Sequence, residues 1–180
     1  MQYKKLTGII LKKQNYAEAD QILTLWTQEA GKIRVKARGI RLPKSKLVYS
    51  LQDLSLVSIE ITGRSLPTLI SASPQRQFST VTQDLKKAAM GFYAAELMLK
   101  LTADEQPNTQ VFELLVDFLK SLDNSSAPSG HEFIDNFAVG LSRLLGFGVP
   151  EKIDSHREVN SFIESLIERG LKSEAFLISI

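Results

Sequence analysis

The chain has 180 residues, 43% of them apolar, and no cysteine, so it is long enough for one large domain or two small ones, while disulfide scaffolds and thiolate zinc sites are excluded. Its net charge of +2 hides a split: residues 1–80 carry thirteen Lys/Arg against five Asp/Glu, a balance of +8, whereas residues 81–180 carry nine against fifteen, a balance of −6. Such asymmetry points to a basic nucleic-acid module followed by an acidic one that meets protein.

The N-terminal apolar run, Leu6 to Leu11, is shorter than the core of a signal peptide. Nowhere do about 18 uncharged apolar residues run together, so the expectation is a soluble protein with no membrane partner. Residues 1–76 read as five strands: Tyr3 to Lys13, Gln21 to Thr27, Lys32 to Arg38, Leu54 to Thr62 and Leu66 to Ser73. The second and third are separated by Gln28, Glu29, Ala30 and Gly31, a loop suited to a hairpin. Gly63 turns the chain between the fourth and fifth, and Pro67 confines the fifth to an edge or a bulge. Five strands with no long helix between them predict a small barrel.

The third strand alternates Lys32, Arg34, Lys36 and Arg38 with Ile33, Val35 and Ala37. A period of two gives one basic face and one apolar face, with cations every ~6.6 Å along the strand, close to the stride of an extended nucleic-acid backbone. Outward Lys and Arg also serve as ordinary solvation and edge protection. The following loop tips the reading toward phosphate contact, because Arg41, Lys44 and Lys46 continue the charge and no acid occurs from Lys32 to Gln52, where a solvated face mixes its signs. Tyr49 follows that loop and Trp26 precedes it, and an aromatic that stacks on a base contributes about 1–3 kcal/mol. For Trp26, flanked by Leu23 and Leu25, core packing is the competing role.

From Phe78 the period shifts to 3.6, which places a helical domain over 77–180. Thr80 with Gln83, Ser129 with Glu132 and Ser155 with Glu158 have capping-box spacing and predict three helix starts. The first helix carries Leu85, Ala88, Ala89, Phe92, Ala95 and Leu99 on one stripe; the second carries Val111, Leu114, Leu115, Phe118 and Leu122. A loop over 124–130 follows. A third helix carries Phe133, Ile134, Phe137, Leu141, Leu144 and Leu145 and stops at Gly146. A fourth carries Val159, Phe162, Ile163, Leu166 and Ile167 and stops at Gly170, with a last turn near Ser173 to Ile178.

Catalytic patterns do not assemble. His131-Glu132 starts a zincin-like pattern, but Asp135 stands where the second histidine belongs. Gly146 and Gly148 lack the strand and third glycine of a dinucleotide loop. Asp104 and Glu105 fall at the fraying end of a helix, where solvation explains them. No enzyme, metal or cofactor is expected.

Taken in order, Gly8-Ile9-Ile10-Leu11, Glu18-Ala19-Asp20, Leu23-Thr24-Leu25-Trp26-Thr27, Gly31-Lys32-Ile33, Ala37-Arg38-Gly39-Ile40-Arg41 and Lys44-Ser45 resemble the amino-terminal domain of the DNA repair protein RecO family. Leu144 to Pro150 resembles the segment that in many members precedes a cysteine-rich zinc module. Here Glu151, Lys152, Ile153 and Asp154 follow instead, which reads as a short, zinc-free member. The resemblance implies an α+β protein, a five-stranded OB-fold barrel joined to an all-helical domain. It further implies binding of single- and double-stranded DNA, annealing of complementary strands, a mediator role in recombinational repair, and a cytoplasmic, nucleoid-associated location. The implied partners are RecR and the acidic carboxy-terminal tail of single-stranded DNA-binding protein. Lys86, Lys87, Lys100 and Arg143 are the helical cations open to that tail, and the sequence does not choose among them.

The expected phosphate contacts are Arg34, Lys36, Arg38, Arg41, Lys44 and Lys46, with Lys32 and Arg64 weaker and Tyr49 a stacking candidate; the family's Ala-Lys-Gly segment singles out Arg38 and Arg41. Six contacts to a single strand predict a log–log salt slope of about −4. Glu18 and Asp20 are read as acids that bond their own turn rather than a partner. The competing function is an OB-type RNA-binding module of another pathway.

Overall fold

The computed structural model describes residues 3–45, 47–124, 131–153 and 155–167. The chain divides into two compact units, residues 1–77 with 103–108, and residues 78–102 with 109–180.

The first unit is built on β1 (Tyr3–Tyr16), β2 (Asp20–Thr27), β3 (Gly31–Ala37), β4 (Leu56–Thr62) and β5 (Thr68–Arg76), with a single helical turn, α1 (Leu47–Ser50), between β3 and β4. These strands close into a barrel in the order β1-β2-β3-β5-β4, the arrangement of a five-stranded OB-type barrel. Strand β1 is long because it serves two neighbours: Tyr3 to Ile9 pair with β4, and Gly8 to Tyr16 pair with β2. Closure between β3 and β5 rests on one parallel bridge, Lys36 to Thr68, and on the Lys36 N–H, which donates to the Pro67 carbonyl at 2.8 Å. Pro67, having no N–H to give a ladder, stands just before β5 and displaces the strand two residues beyond the predicted start.

Strand alternation fills the barrel. Leu6, Ile10, Leu23, Leu25, Val35, Ala37, Val57, Ile59, Ile61 and Leu69 meet in one core, joined by Ile40 and Leu51 from the β3–β4 connection, while Leu47 of α1 packs against it. The β2–β3 hairpin is drawn tight by Thr27, whose buried hydroxyl donates to the Gly31 carbonyl at 2.9 Å and accepts from the Ala30 N–H at 3.2 Å. Gly31 closes this hairpin at φ +68°. A Cβ there would lie 2.4 Å from the Gln106 carbonyl oxygen, so glycine is required twice, for the left-handed backbone and for the close approach of a second segment. Trp26 is buried in β2, in keeping with packing rather than base contact.

The second unit contains α2 (Ser79–Gln83), α3 (Leu85–Leu101), α4 (Thr109–Asn124), α5 (Glu132–Leu144) and α6 (His156–Leu166). The predicted first helix breaks at Asp84, whose side chain accepts the Lys87 N–H at 3.0 Å and caps α3. Thr80, expected as that cap, instead donates from its hydroxyl to the Asp123 carbonyl at 2.6 Å. The predicted stripe on this helix is also displaced. Leu85 and Phe92 are 59% and 43% exposed, whereas Tyr93, Ala94, Leu97 and Met98 are buried. Because α3 is apolar around most of its circumference, a 3.6-residue period passes through two neighbouring faces and does not select one.

On α4, α5 and α6 the apolar stripes fall where the pattern places them, with Phe118 set 4.9 Å from Phe133 and 4.6 Å from Phe137 between ring centroids. Ser155 caps α6 by accepting the Glu158 N–H at 3.3 Å. The box on Ser129, the stop at Gly170 and the turn at Ser173 to Ile178 lie outside the described residues. No described helix is long and apolar enough to cross a membrane.

Candidate nucleic-acid interface

Alternation along β3 turns Val35 and Ala37 into the barrel core and puts Lys32, Arg34 and Lys36 on the other face, with Arg38 one residue past the strand's end. Their surroundings then separate them. Arg34 and Arg38 are exposed, Lys36 is half-buried and Lys32 is buried.

Lys32 departs from the expectation of an open phosphate contact. Its ammonium lies 3.3 Å from an Asp104 carboxylate oxygen, and only 11% of its side chain is accessible. Its carbonyl accepts the Glu105 N–H at 2.9 Å, and Lys32 and Asp104 form an isolated parallel bridge. Asp104 and Glu105 are exposed, but they do more than fray from a helix end: the stretch 103–108 belongs to the barrel unit and is tied to the start of β3.

Arg34 lines a cleft of ≈ 940 Å³ together with Lys4, Lys32 and Arg64 and with the acids Glu29, Asp104 and Glu105. Arg64 comes from the β4–β5 loop, thirty residues beyond Arg34, and Gly63 before it turns that loop at φ +106°. Neither arginine forms an ion pair among the described residues. Glu29 is committed elsewhere: its carboxylate accepts the Thr7 N–H at 2.9 Å and 3.1 Å. Lys4 is a member of this cleft that sequence reasoning missed, since its strand position does not reveal which loop will fold beside it.

At the other end of β3 an acid organises the cations. Asp20 accepts the Gly39 N–H at 2.8 Å and pairs with the Lys36 ammonium at 3.0 Å. The Gly39 hydrogen bond first, then Lys36, with a longer-range contribution from Arg38, holds the Asp20 carboxyl below its usual range despite some desolvation. The Lys36 ammonium also sits 4.7 Å from the centroid of the Tyr16 ring, a cation–π contact that the sequence did not announce. Arg41 is tied down twice: its backbone N–H donates to the Ala19 carbonyl at 2.9 Å, and its guanidinium donates to the Glu18 carbonyl at 3.0 Å. Asp20 thus bonds a loop nineteen residues away rather than its own turn.

Lys44 is exposed, as are Arg38 and Arg41. Lys46 lies outside the described residues. Tyr49 stands on α1 with 76% of its surface in solvent, and its carbonyl accepts from the Gln77 side chain at 2.8 Å. The predicted set therefore resolves into a cleft group, Arg34 and Arg64; a loop group, Arg38, Arg41 and Lys44, braced on Asp20 and Glu18; an exposed Tyr49; and two committed lysines, Lys32 and Lys36. Among the described residues no cluster of three or more His, Asp or Glu is arranged to hold a metal ion.

Comparison with known proteins divides the chain near residue 80. The family model for the N-terminal region of recombination protein O matches residues 1–78, and that for its C-terminal region matches residues 82–160. The DNA repair protein RecO of Anaeromyxobacter dehalogenans strain 2CP-1 is 37% identical over 149 residues, 81% of this chain and 58% of that protein. The DNA repair protein RecO of Dehalococcoides mccartyi strain CBDB1 is 34% identical over 125 residues, 69% of this chain and 49% of that protein. The chain spans between about half and three-fifths of the length of these curated relatives. With both family models matched in order along nearly the whole chain, it belongs to the RecO family of recombination proteins.

Proposed function

We propose that the chain acts in recombinational DNA repair as a strand-annealing mediator, and that its barrel binds single- and double-stranded DNA through Arg34 and Arg64 in the cleft and through Arg38, Arg41 and Lys44 on the loop after β3. The observation that carries this reading is the meeting of Arg34 and Arg64, far apart in sequence, in one cleft with no ion pair of their own among the described residues. OB-type barrels take nucleic acid on the face of their second and third strands and on the β4–β5 loop, and these two arginines come from that strand face and that loop.

The mechanism asks for no catalytic group. Two complementary strands repel until their phosphates are neutralised. A cationic groove releases condensed counterions, lets the coated strands approach, and leaves pairing to the bases. A guanidinium suits the task because it meets phosphate oxygens with paired donors. Tyr49, unburied and close in sequence to Lys44, is the candidate to stack on a base. RecR and the acidic tail of single-stranded DNA-binding protein are the proposed protein partners.

The test is annealing of complementary oligonucleotides coated with wild-type protein, with an Arg34→Ala/Arg64→Ala variant and with an Arg38→Ala/Arg41→Ala variant. Loss of annealing in both variants with the fold intact supports the reading. RNA outcompeting DNA, with no annealing by wild type, would assign the barrel to RNA instead.

A further inference from the structure

The cleft that presents Arg34 and Arg64 is lined by Glu29 and by two further carboxylates, Asp104 and Glu105, delivered by the stretch 103–108. The stretch 103–108 is seated on β3 by three independent features: the Lys32 to Asp104 ion pair at 3.3 Å, the Glu105 N–H donated to the Lys32 carbonyl at 2.9 Å, and the absence of a side chain at Gly31, without which Gln106 and Pro107 could not approach. Asp104 and Glu105 both line the cleft. The Asp104 side chain is 66% accessible although its partner Lys32 is nearly covered.

Burying both partners of an ion pair costs desolvation that the attraction does not always repay, and this pair keeps its acidic side in solvent. Both residues line the cleft, but the carboxylate side chain is far more accessible than that of the lysine. An incoming phosphate therefore meets Asp104 before it reaches Lys32.

We propose that Asp104 is a built-in competitor for phosphate: it occupies Lys32, repels the polyanion from that part of the cleft, and leaves nucleic-acid contact within the cleft to Arg34 and Arg64. The consequence is binding weak enough to exchange, which suits a protein that must give up its strands once they pair. This inference rests on the nucleic-acid reading of the cleft and names the residue that sets its affinity.

The experiment is fluorescence-anisotropy titration of a short oligothymidylate across a salt series. It uses wild type, Asp104→Asn, Lys32→Met, the Lys32→Met/Asp104→Asn double variant and Arg34→Ala/Arg64→Ala, each checked for folding by circular dichroism. Asp104→Asn keeps the shape of the side chain and removes its charge. It is expected to bind about two- to fivefold more tightly at low salt, the scale of one accessible ion pair, with a log–log salt slope steeper by about 0.7, one added contact. Lys32→Met leaves the carboxylate uncompensated and is expected to bind more weakly than wild type, and the double variant to return near wild type.

Unchanged or weaker binding by folded Asp104→Asn overturns the proposal, as does a gain that persists undiminished when Lys32 is also removed. If Asp104→Asn does not fold, Lys32→Met alone decides, and binding equal to wild type overturns the proposal. Failure of the underlying reading has a different signature: wild type does not bind, or Arg34→Ala/Arg64→Ala binds as wild type does.

Discussion

The two ends of β3 carry the same chemistry in sequence and opposite arrangements in space. At its start Lys32 is covered, paired to a carboxylate that arrives from residue 104, and overlain by the stretch 103–108. At its end Lys36 is braced by Asp20, and the chain leaves through Gly39 into a loop of exposed cations. A period-two row of Lys and Arg predicts which face a side chain takes; what arrives on that face from elsewhere decides whether its charge reaches solvent.

Each end also has a glycine with positive φ, and the pair offers the sharpest contrast. At Gly31 a Cβ would strike the Gln106 carbonyl oxygen at 2.4 Å, whereas at Gly39 the nearest atom is a Leu42 methyl at 3.3 Å, the end of an exposed side chain. Gly31→Ala is expected to cost about 2 kcal/mol or more, from strain and backbone displacement together, and Gly39→Ala about 1 kcal/mol, from the left-handed backbone alone. Urea unfolding monitored by Trp26 fluorescence measures both. Equal losses would mean that the seat of residues 103–108 on Gly31 contributes nothing.

A smaller effect separates scaffold from contact at the loop end. Asp20→Asn weakens the hold on Lys36 and on the Gly39 N–H, so its unfolding midpoint at neutral pH should fall below that of wild type. Since the carboxyl is held below its usual range in the folded protein, its stabilising contribution is complete above the unfolded-state value and fades as pH falls through the lowered folded-state one. The gap between wild type and Asp20→Asn should therefore persist through the neutral range and close only in acid. A gap that closes near pH 7 would contradict the assignment to Asp20.

The smallest expected effect is that of Lys44→Ala. Its side chain is exposed, so stability should change by less than about 0.5 kcal/mol, while the salt slope for single strands should flatten by about 0.7. A stability loss without a slope change would make Lys44 part of the scaffold.

These contrasts mark what could be read from the chain alone. The five strands emerge within a few residues of their positions because turn residues and alternating apolar positions are local signals, and Gly31 announced its hairpin. The capping residue Asp84 was not singled out because Thr80-Gln83 offered an equally good local pattern, and the pairing of Thr80 with Asp123 is tertiary. The covered state of Lys32 was invisible for the same reason: its partner lies seventy-two residues downstream, in a stretch that carries no periodicity. Arg64 reads from the sequence as a weak candidate, a lone cation in a turn, yet the fold brings it to the same cleft as Arg34.

Five exposed cations, Arg34, Arg38, Arg41, Lys44 and Arg64, are the proposed phosphate contacts, Arg41 with its guanidinium also held by the Glu18 carbonyl. The most direct test is the salt dependence of oligothymidylate affinity for wild type and for Arg34→Ala/Arg64→Ala. Five phosphate contacts give an expected log–log slope of about −3.5 for wild type, lowered to about −2 when two of them are removed. A wild-type slope near zero, or the same slope in both proteins, would contradict it.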